Sequence, residues 1–184
     1  MRRRVDVRAR ARRVRLLVLD VDGVLTDGTM LLAERGDELK GFHSRDGLGV
    51  VLARRAGLRV ALVTGEPSPI AKVRGDRLGV DAVVLGARRK GEALEALCAR
   101  FELPLEAACY VGDDLLDVPA LQRAGLAVAV ADAVHEVRAV AHVVLRAPGG
   151  RGAVRECVEL ILRAQGTWRA TVDAYIREHG GLER

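Results

Sequence analysis

A chain of 184 residues suits one domain with a sizeable core, and the roughly forty residues between Asp22 and Thr64 are too few for a separate second domain. Aromatic residues make up only 3% and the three cysteines (Cys98, Cys109, Cys157) are scattered, which leaves the core to Ala, Val and Leu and excludes a disulfide framework. The net charge is +5 and eight of the first fifteen residues are Arg, but no aromatic is interleaved to stack a base, so residues 1–13 read as a basic tail rather than a nucleic-acid element.

In chain order, the apolar run 16–19 predicts a strand buried on both faces, ending in Asp20-Val21-Asp22-Gly23. Residues 29–42 predict a β-hairpin flap with a Gly-containing turn. A helix over 46–55 is stopped by Gly57. Strand 60–63 ends in Thr64-Gly65, helix 68–78 leads to strand 82–85, and Lys90 opens a helix to 101. Leu103-Pro104 breaks the pattern before strand 108–111, which ends in Gly112-Asp113-Asp114. Helix 116–124, strand 127–130, helix 134–141, strand 143–145 and helix 151–165 follow, and 167–184 reads as a helical tail. This alternation predicts an α/β fold: a Rossmann-like parallel sheet with helices on both faces, spanning 14–166. No run is long enough to span a membrane, and Asp20 and Asp22 interrupt the early apolar segment where a secretion signal would need its core. The expected location is the cytoplasm.

The chemistry concentrates at strand ends. Open α/β sheets bind ligands outside the carboxyl ends of their strands, and carboxylates there need a cation or a proton to offset desolvation. Asp20, Asp22 and Asp113 can share a Mg²⁺ ion. Thr64 and nearby backbone N–H groups can hold a phosphate oxygen. The chain has three lysines (Lys40, Lys72, Lys90) against 27 arginines, so Lys90 at a helix start marks a place that needs a compact point charge. Asp114 is placed to cap the next helix, with Asp117 one turn inside it. Each piece alone also fits a bland reading: a turn after a strand, a solvated lysine, an N-capped helix.

The order Asp20-x-Asp22, Thr64-Gly65, Lys90, Gly112-Asp113-Asp114-x-x-Asp117 resembles the haloacid dehalogenase superfamily of phosphotransferases, over residues 16 to about 145. Residues 20–28, 42–49, 131–133 and 149–156 are similar to the 3-deoxy-D-manno-octulosonate 8-phosphate phosphatases, which lack a separate cap domain. The resemblance implies that Asp20 is the nucleophile that forms an aspartyl-phosphate and that Asp22 is the acid and base. It implies Mg²⁺ on Asp20, Asp113 and the backbone carbonyl of Asp22. Thr64, Gly65, Lys90 and the N–H groups of Val21 and Asp22 would hold the phosphoryl group, with Asp114 and Asp117 orienting Lys90 or the metal's waters. It also implies a homotetramer whose flaps help build shared sites, and a place in lipopolysaccharide sugar synthesis.

A sugar-acid substrate needs a cation for its carboxylate. Arg74 is the first candidate, because Arg makes bidentate carboxylate contacts; Arg45, Asp46 and Gly47 follow the flap and are candidates too. His43 is as well explained by a flap residue with no chemical role. One departure stands out: Glu66 occupies a place where the octulosonate phosphatases usually have Arg. Glu66 with Arg77 looks more like phosphatases of 2-keto-3-deoxynononate 9-phosphate, so the eight-carbon substrate leads with the nine-carbon one as alternative. A phospho-acceptor signalling domain and a non-catalytic scaffold are the alternatives of another class. The acid–base Asp22 and the filled catalytic positions argue against both.

Overall fold

The computed structural model describes residues 6–36 and 38–181. Its strands are β1 (Leu16–Asp20), β2 (Leu31–Leu32), β3 (Glu38–Leu39), β4 (Arg59–Val63), β5 (Ala82–Val84), β6 (Ala108–Gly112), β7 (Leu126–Ala129) and β8 (Val143–Val144). Six form one parallel sheet in the order β5-β4-β1-β6-β7-β8, and β2 pairs antiparallel with β3 in a separate hairpin. All five residues of β1 are buried. Side chains alternate between the faces of a strand, so complete burial requires cover on both faces, as the continuous apolar run predicts.

The helices are α1 (Val7–Arg13), α2 (Ser44–Arg55), α3 (Pro69–Leu78), α4 (Lys90–Arg100), α5 (Val118–Arg123), α6 (His135–Val140), α7 (Ala153–Gln165) and α8 (Trp168–Glu178). Local chemistry sets several ends. Ser68 caps α3 with Pro69 following it, and Gly79 closes that helix in the left-handed region. Gly152 and Gly166, both at positive φ, bracket α7. The helix expected from 116 begins instead as a 3₁₀ turn, Leu115–Asp117, held by a capping box between Asp114 and Asp117.

Both expected tails are packed structure where described. Residues 7–13 form α1, with Ala11 and Val14 fully buried in the core. Arg10 donates to the Gly125 carbonyl at 2.6 Å and Arg12 to the Ala164 carbonyl at 3.1 Å, so these arginines fasten the helix to its own domain. Residues 1–5 lie outside the described residues. At the other end, α8 packs on α7 and α2. Trp168 lies under the guanidinium groups of Arg155 and Arg163, and Glu178 pairs with Arg55.

Cys109 and Cys157 are buried with their sulfurs 4.0 Å apart, unbonded. Among the described residues no helix is long and apolar enough to cross a membrane. The hairpin falls where the flap was expected, with Met30, Leu31, Leu32 and Leu39 exposed upon it.

Candidate active site

Strands β1, β4 and β6 are neighbours at the middle of the sheet. The chain builds outward from β1 to one side through β4 and β5, then to the other through β6, β7 and β8. A crevice opens at such a switch point. Asp20 is the last residue of β1, Thr64 follows β4, Asp113 follows β6, and Lys90 enters as the first residue of α4. Parallel register sets Asp20 level with Val63, and Leu19 level with Val111, which brings the three strand ends to one edge.

Lys90 Nζ donates to Asp20 Oδ1 and to Asp117 Oδ1, both at 2.7 Å and both buried. The Tyr110 hydroxyl donates to the same Asp117 oxygen at 2.8 Å, and the N–H groups of Asp113 and Asp114 donate to Asp117 Oδ2 at 3.0 and 3.3 Å. Asp117 therefore has both oxygens committed. Asp113 Oδ1 is buried without a partner. Carboxylate oxygens of Asp20, Asp113 and Asp117 lie within 4.8 Å of one another. Fully ionised, three carboxylates (−3) against one ammonium (+1) would leave −2 in a buried pocket.

Burial, and next the charge of Asp117, push the Asp20 carboxyl well above its usual range. The same two causes raise Asp113 to about 7. The Asp20 and Asp117 carboxylates outweigh burial at Lys90 and hold its ammonium above the ordinary value. A hard divalent cation fits this donor set: oxygen ligands, surplus negative charge and an orphaned oxygen. Asp20 and Asp113 have carboxylate capacity to spare; Asp117 is spent on Lys90, Tyr110 and the turn. Gly23 makes the approach possible, since a Cβ there would lie 2.0 Å from Asp113 Oδ2 at a φ of 93°. The loop 149–150 braces this turn from behind: Gly150 N–H donates to the Val24 carbonyl at 2.9 Å, and a Cβ on Gly149 would lie 1.8 Å from the Gly23 carbonyl oxygen.

The Asp22 side chain does not join the carboxylate cluster. Its Oδ2 accepts from the Thr64 hydroxyl at 2.9 Å and its Oδ1 from Lys90's counterpart on the flap, Lys40, at 2.5 Å. Only its backbone carbonyl is left for the metal role expected of it. Thr64 Oγ1 also accepts from the Glu66 N–H at 3.0 Å. Lys40 was missed from sequence, although the scarcity of lysine that singled out Lys90 applies to it equally.

The residues expected to bind substrate divide. Asp46 is fully buried, and its oxygens accept from the N–H groups of Gly152 and Arg155, each at 2.9 Å. It caps α7 and is not available to a substrate, a correction to the sequence reading. Gly47 has a packing reason, since a Cβ there would lie 2.5 Å from Arg74 Nη2. Arg74 lies over the Phe42 ring with its Nε buried and unpartnered; burial and then Arg77 lower its pKa. Arg77 is exposed and Glu66 half-buried. Arg45 lines a cleft of about 500 Å³ with Arg146, Arg151 and Arg155, which none of the aspartates lines. His43 caps α2, its Nδ1 accepting from the Arg45 N–H at 3.3 Å. Asp114 is exposed and caps the 3₁₀ turn, while Val21 and Gly65 are buried beside the strand ends.

Comparison with known proteins agrees with this geometry. The haloacid dehalogenase-like hydrolase family matches residues 43–125. The chain is 44% identical over 161 residues to the 3-deoxy-D-manno-octulosonate 8-phosphate phosphatase KdsC of Escherichia coli, covering 88% of this chain and 86% of that one. The Moraxella catarrhalis phosphatase of the same name, crystallised with magnesium, phosphate and KDO, superposes with a TM-score of 0.90 at 34% identity, over 92% of this chain and 98% of that one. The cobalt-bound Haemophilus influenzae phosphatase superposes with a TM-score of 0.83 at 39% identity, over 85% of this chain and 92% of the other.

Proposed function

The chain belongs to the 3-deoxy-D-manno-octulosonate 8-phosphate phosphatases of the haloacid dehalogenase-like hydrolases, and on that premise we propose that it hydrolyses this sugar-acid phosphate in a Mg²⁺-dependent reaction through an aspartyl-phosphate. The observation that carries the reading is Asp20 at a strand end, paired with Lys90 inside a pocket with surplus negative charge.

An Asp20 carboxylate oxygen attacks phosphorus, and the bond from phosphorus to the sugar oxygen breaks. Asp22 gives its proton to that oxygen, then takes one from the water that attacks the aspartyl-phosphate, releasing phosphate and restoring Asp20. Lys90, Thr64, Gly65 and the N–H groups of Val21 and Asp22 hold the phosphoryl oxygens. Asp117 keeps Lys90 in place, and Asp114 fixes the turn that carries Asp117. Asp20, Asp113 and the Asp22 carbonyl would hold Mg²⁺, which when bound neutralises phosphoryl charge.

Arg74 receives the substrate carboxylate; its buried, unpartnered Nε supports this. Glu66 and Arg77 meet the sugar, with Arg45 near the entrance. The exposed apolar side chains of a hairpin with two residues per strand support a homotetramer in which a neighbouring subunit covers them. Unpaired buried cysteines and a phosphorylated substrate support a cytoplasmic enzyme of lipopolysaccharide sugar synthesis.

The test is kcat/KM with Mg²⁺ for 3-deoxy-D-manno-octulosonate 8-phosphate against 2-keto-3-deoxynononate 9-phosphate. Preference for the first is expected. Preference for the second would make Glu66 and Arg77 the specificity residues. An absence of steady phosphate release from any ester would leave a phospho-acceptor or scaffold instead.

A further inference from the structure

Lys40 sits on the flap, immediately after β3, yet its side chain is 1% exposed. Its ammonium lies 2.5 Å from Asp22 Oδ1 and 3.2 Å from Glu38 Oε1. With Thr64 on the opposite oxygen, Asp22 is gripped from two sides, by the end of β4 and by the flap. Two of the chain's three lysines are thereby buried at this site, Lys90 on Asp20 and Lys40 on Asp22, while Lys72 makes an exposed pair with Asp76 within α3. Where Arg is the default cation, a compact ammonium in a closed slot is a choice of geometry.

We propose that Lys40 is a positioning residue through which the flap sets Asp22 for proton transfer. This rests on the phosphatase reading and deepens it: the hairpin is part of the acid–base machinery. Glu38 is the second half of the fastening. The Ser68 hydroxyl, and then Lys40, hold its carboxyl below the usual range, which ties the same strand to the N-terminus of α3. Burial lowers the Lys40 pKa, but Asp22 and Glu38 outweigh it, so the ammonium persists.

The leaving group separates positioning from general support. A sugar oxygen must be protonated as it departs; 4-nitrophenolate leaves without a proton. In Lys40→Met, with unfolding temperature and Mg²⁺-induced stabilisation unchanged, kcat on the octulosonate ester should fall about 10²-fold with KM within about threefold. The pre-steady-state burst of nitrophenolate should fall by less than about fivefold, ahead of a slowed steady state in which Asp22 must accept a proton from water. If Lys40→Met does not fold, Lys40→Arg carries the same test, because a guanidinium displaces the contact while keeping the charge. Unchanged kcat on the sugar ester, or equal losses in burst and steady state, would overturn the proposal in an active protein. A wild type that turns over neither ester would overturn the phosphatase reading, and the proposal with it.

Discussion

Asp20 and Lys90 form a buried ion pair 2.7 Å long, although 70 residues separate them in sequence. Lys90 also neutralises Asp117, so one ammonium serves two carboxylates that burial would otherwise disfavour. Replacing it by Met leaves both acids without their cation. Lys90→Met should cost about 3–5 kcal/mol of unfolding free energy, the usual penalty for breaking a buried pair, and should remove phosphate release. Urea unfolding and a phosphate assay measure the two effects; a loss below about 1 kcal/mol would mean that the pair is not closed in solution.

Asp20→Asn should behave differently. Without metal, burial and the charge of Asp117 make the Asp20 carboxylate costly despite Lys90, and an amide removes that cost while keeping an acceptor oxygen for Lys90. The variant should therefore be at least as stable as wild type in chelator, while its Mg²⁺-induced rise in Tm shrinks and turnover disappears. Substantial residual turnover would remove Asp20 from the nucleophile's role.

The parallel sheet, the hairpin and the edge where the acids meet were all legible in the sequence, because each rests on a local signal. Four apolar residues ending in Asp20 read as a buried strand, and Gly112-Asp113 repeats the pattern. Long-range pairing was not legible. Asp46 looks like a substrate residue beside Arg45 and Gly47, yet its partners Gly152 and Arg155 lie more than 100 positions away. Lys40 reads as one more charge on a hairpin until the fold brings it to Asp22. The arginines of α1 look solvated until Arg10 and Arg12 find the carbonyls of Gly125 and of Ala164 at the end of α7.

The two N–H groups that Asp46 satisfies belong to the start of α7, which packs heavily on α2. Asp46→Ala should lower stability by about 2–4 kcal/mol, since two amides lose a charged acceptor inside the fold. Asp46→Asn keeps one acceptor oxygen and should lose less. KM for the sugar phosphate should stay within about twofold of wild type in Asp46→Asn, because the side chain faces α7. A selective rise in KM with stability unchanged would return Asp46 to the substrate site.

The raised pKa of Asp113 gives Mg²⁺ binding a pH signature. Its carboxyl stands at about 7 in the folded, metal-free protein against an ordinary 3.8. Between those values the folded state holds a proton that the unfolded chain has released. This contribution to stability is fully present below about 3.8 and is lost as pH rises through about 7. Above that range Asp113 is ionised, and a divalent cation binds without displacing its proton. The difference in Tm between Mg²⁺ and chelator should therefore be small at about pH 5.5 and grow through about pH 7 to a plateau near pH 8. In Asp113→Asn that growth should flatten, since the titrating carboxyl is gone. A wild-type difference constant across the range would show that Asp113 is already ionised at pH 5.5 and that its burial is relieved in solution.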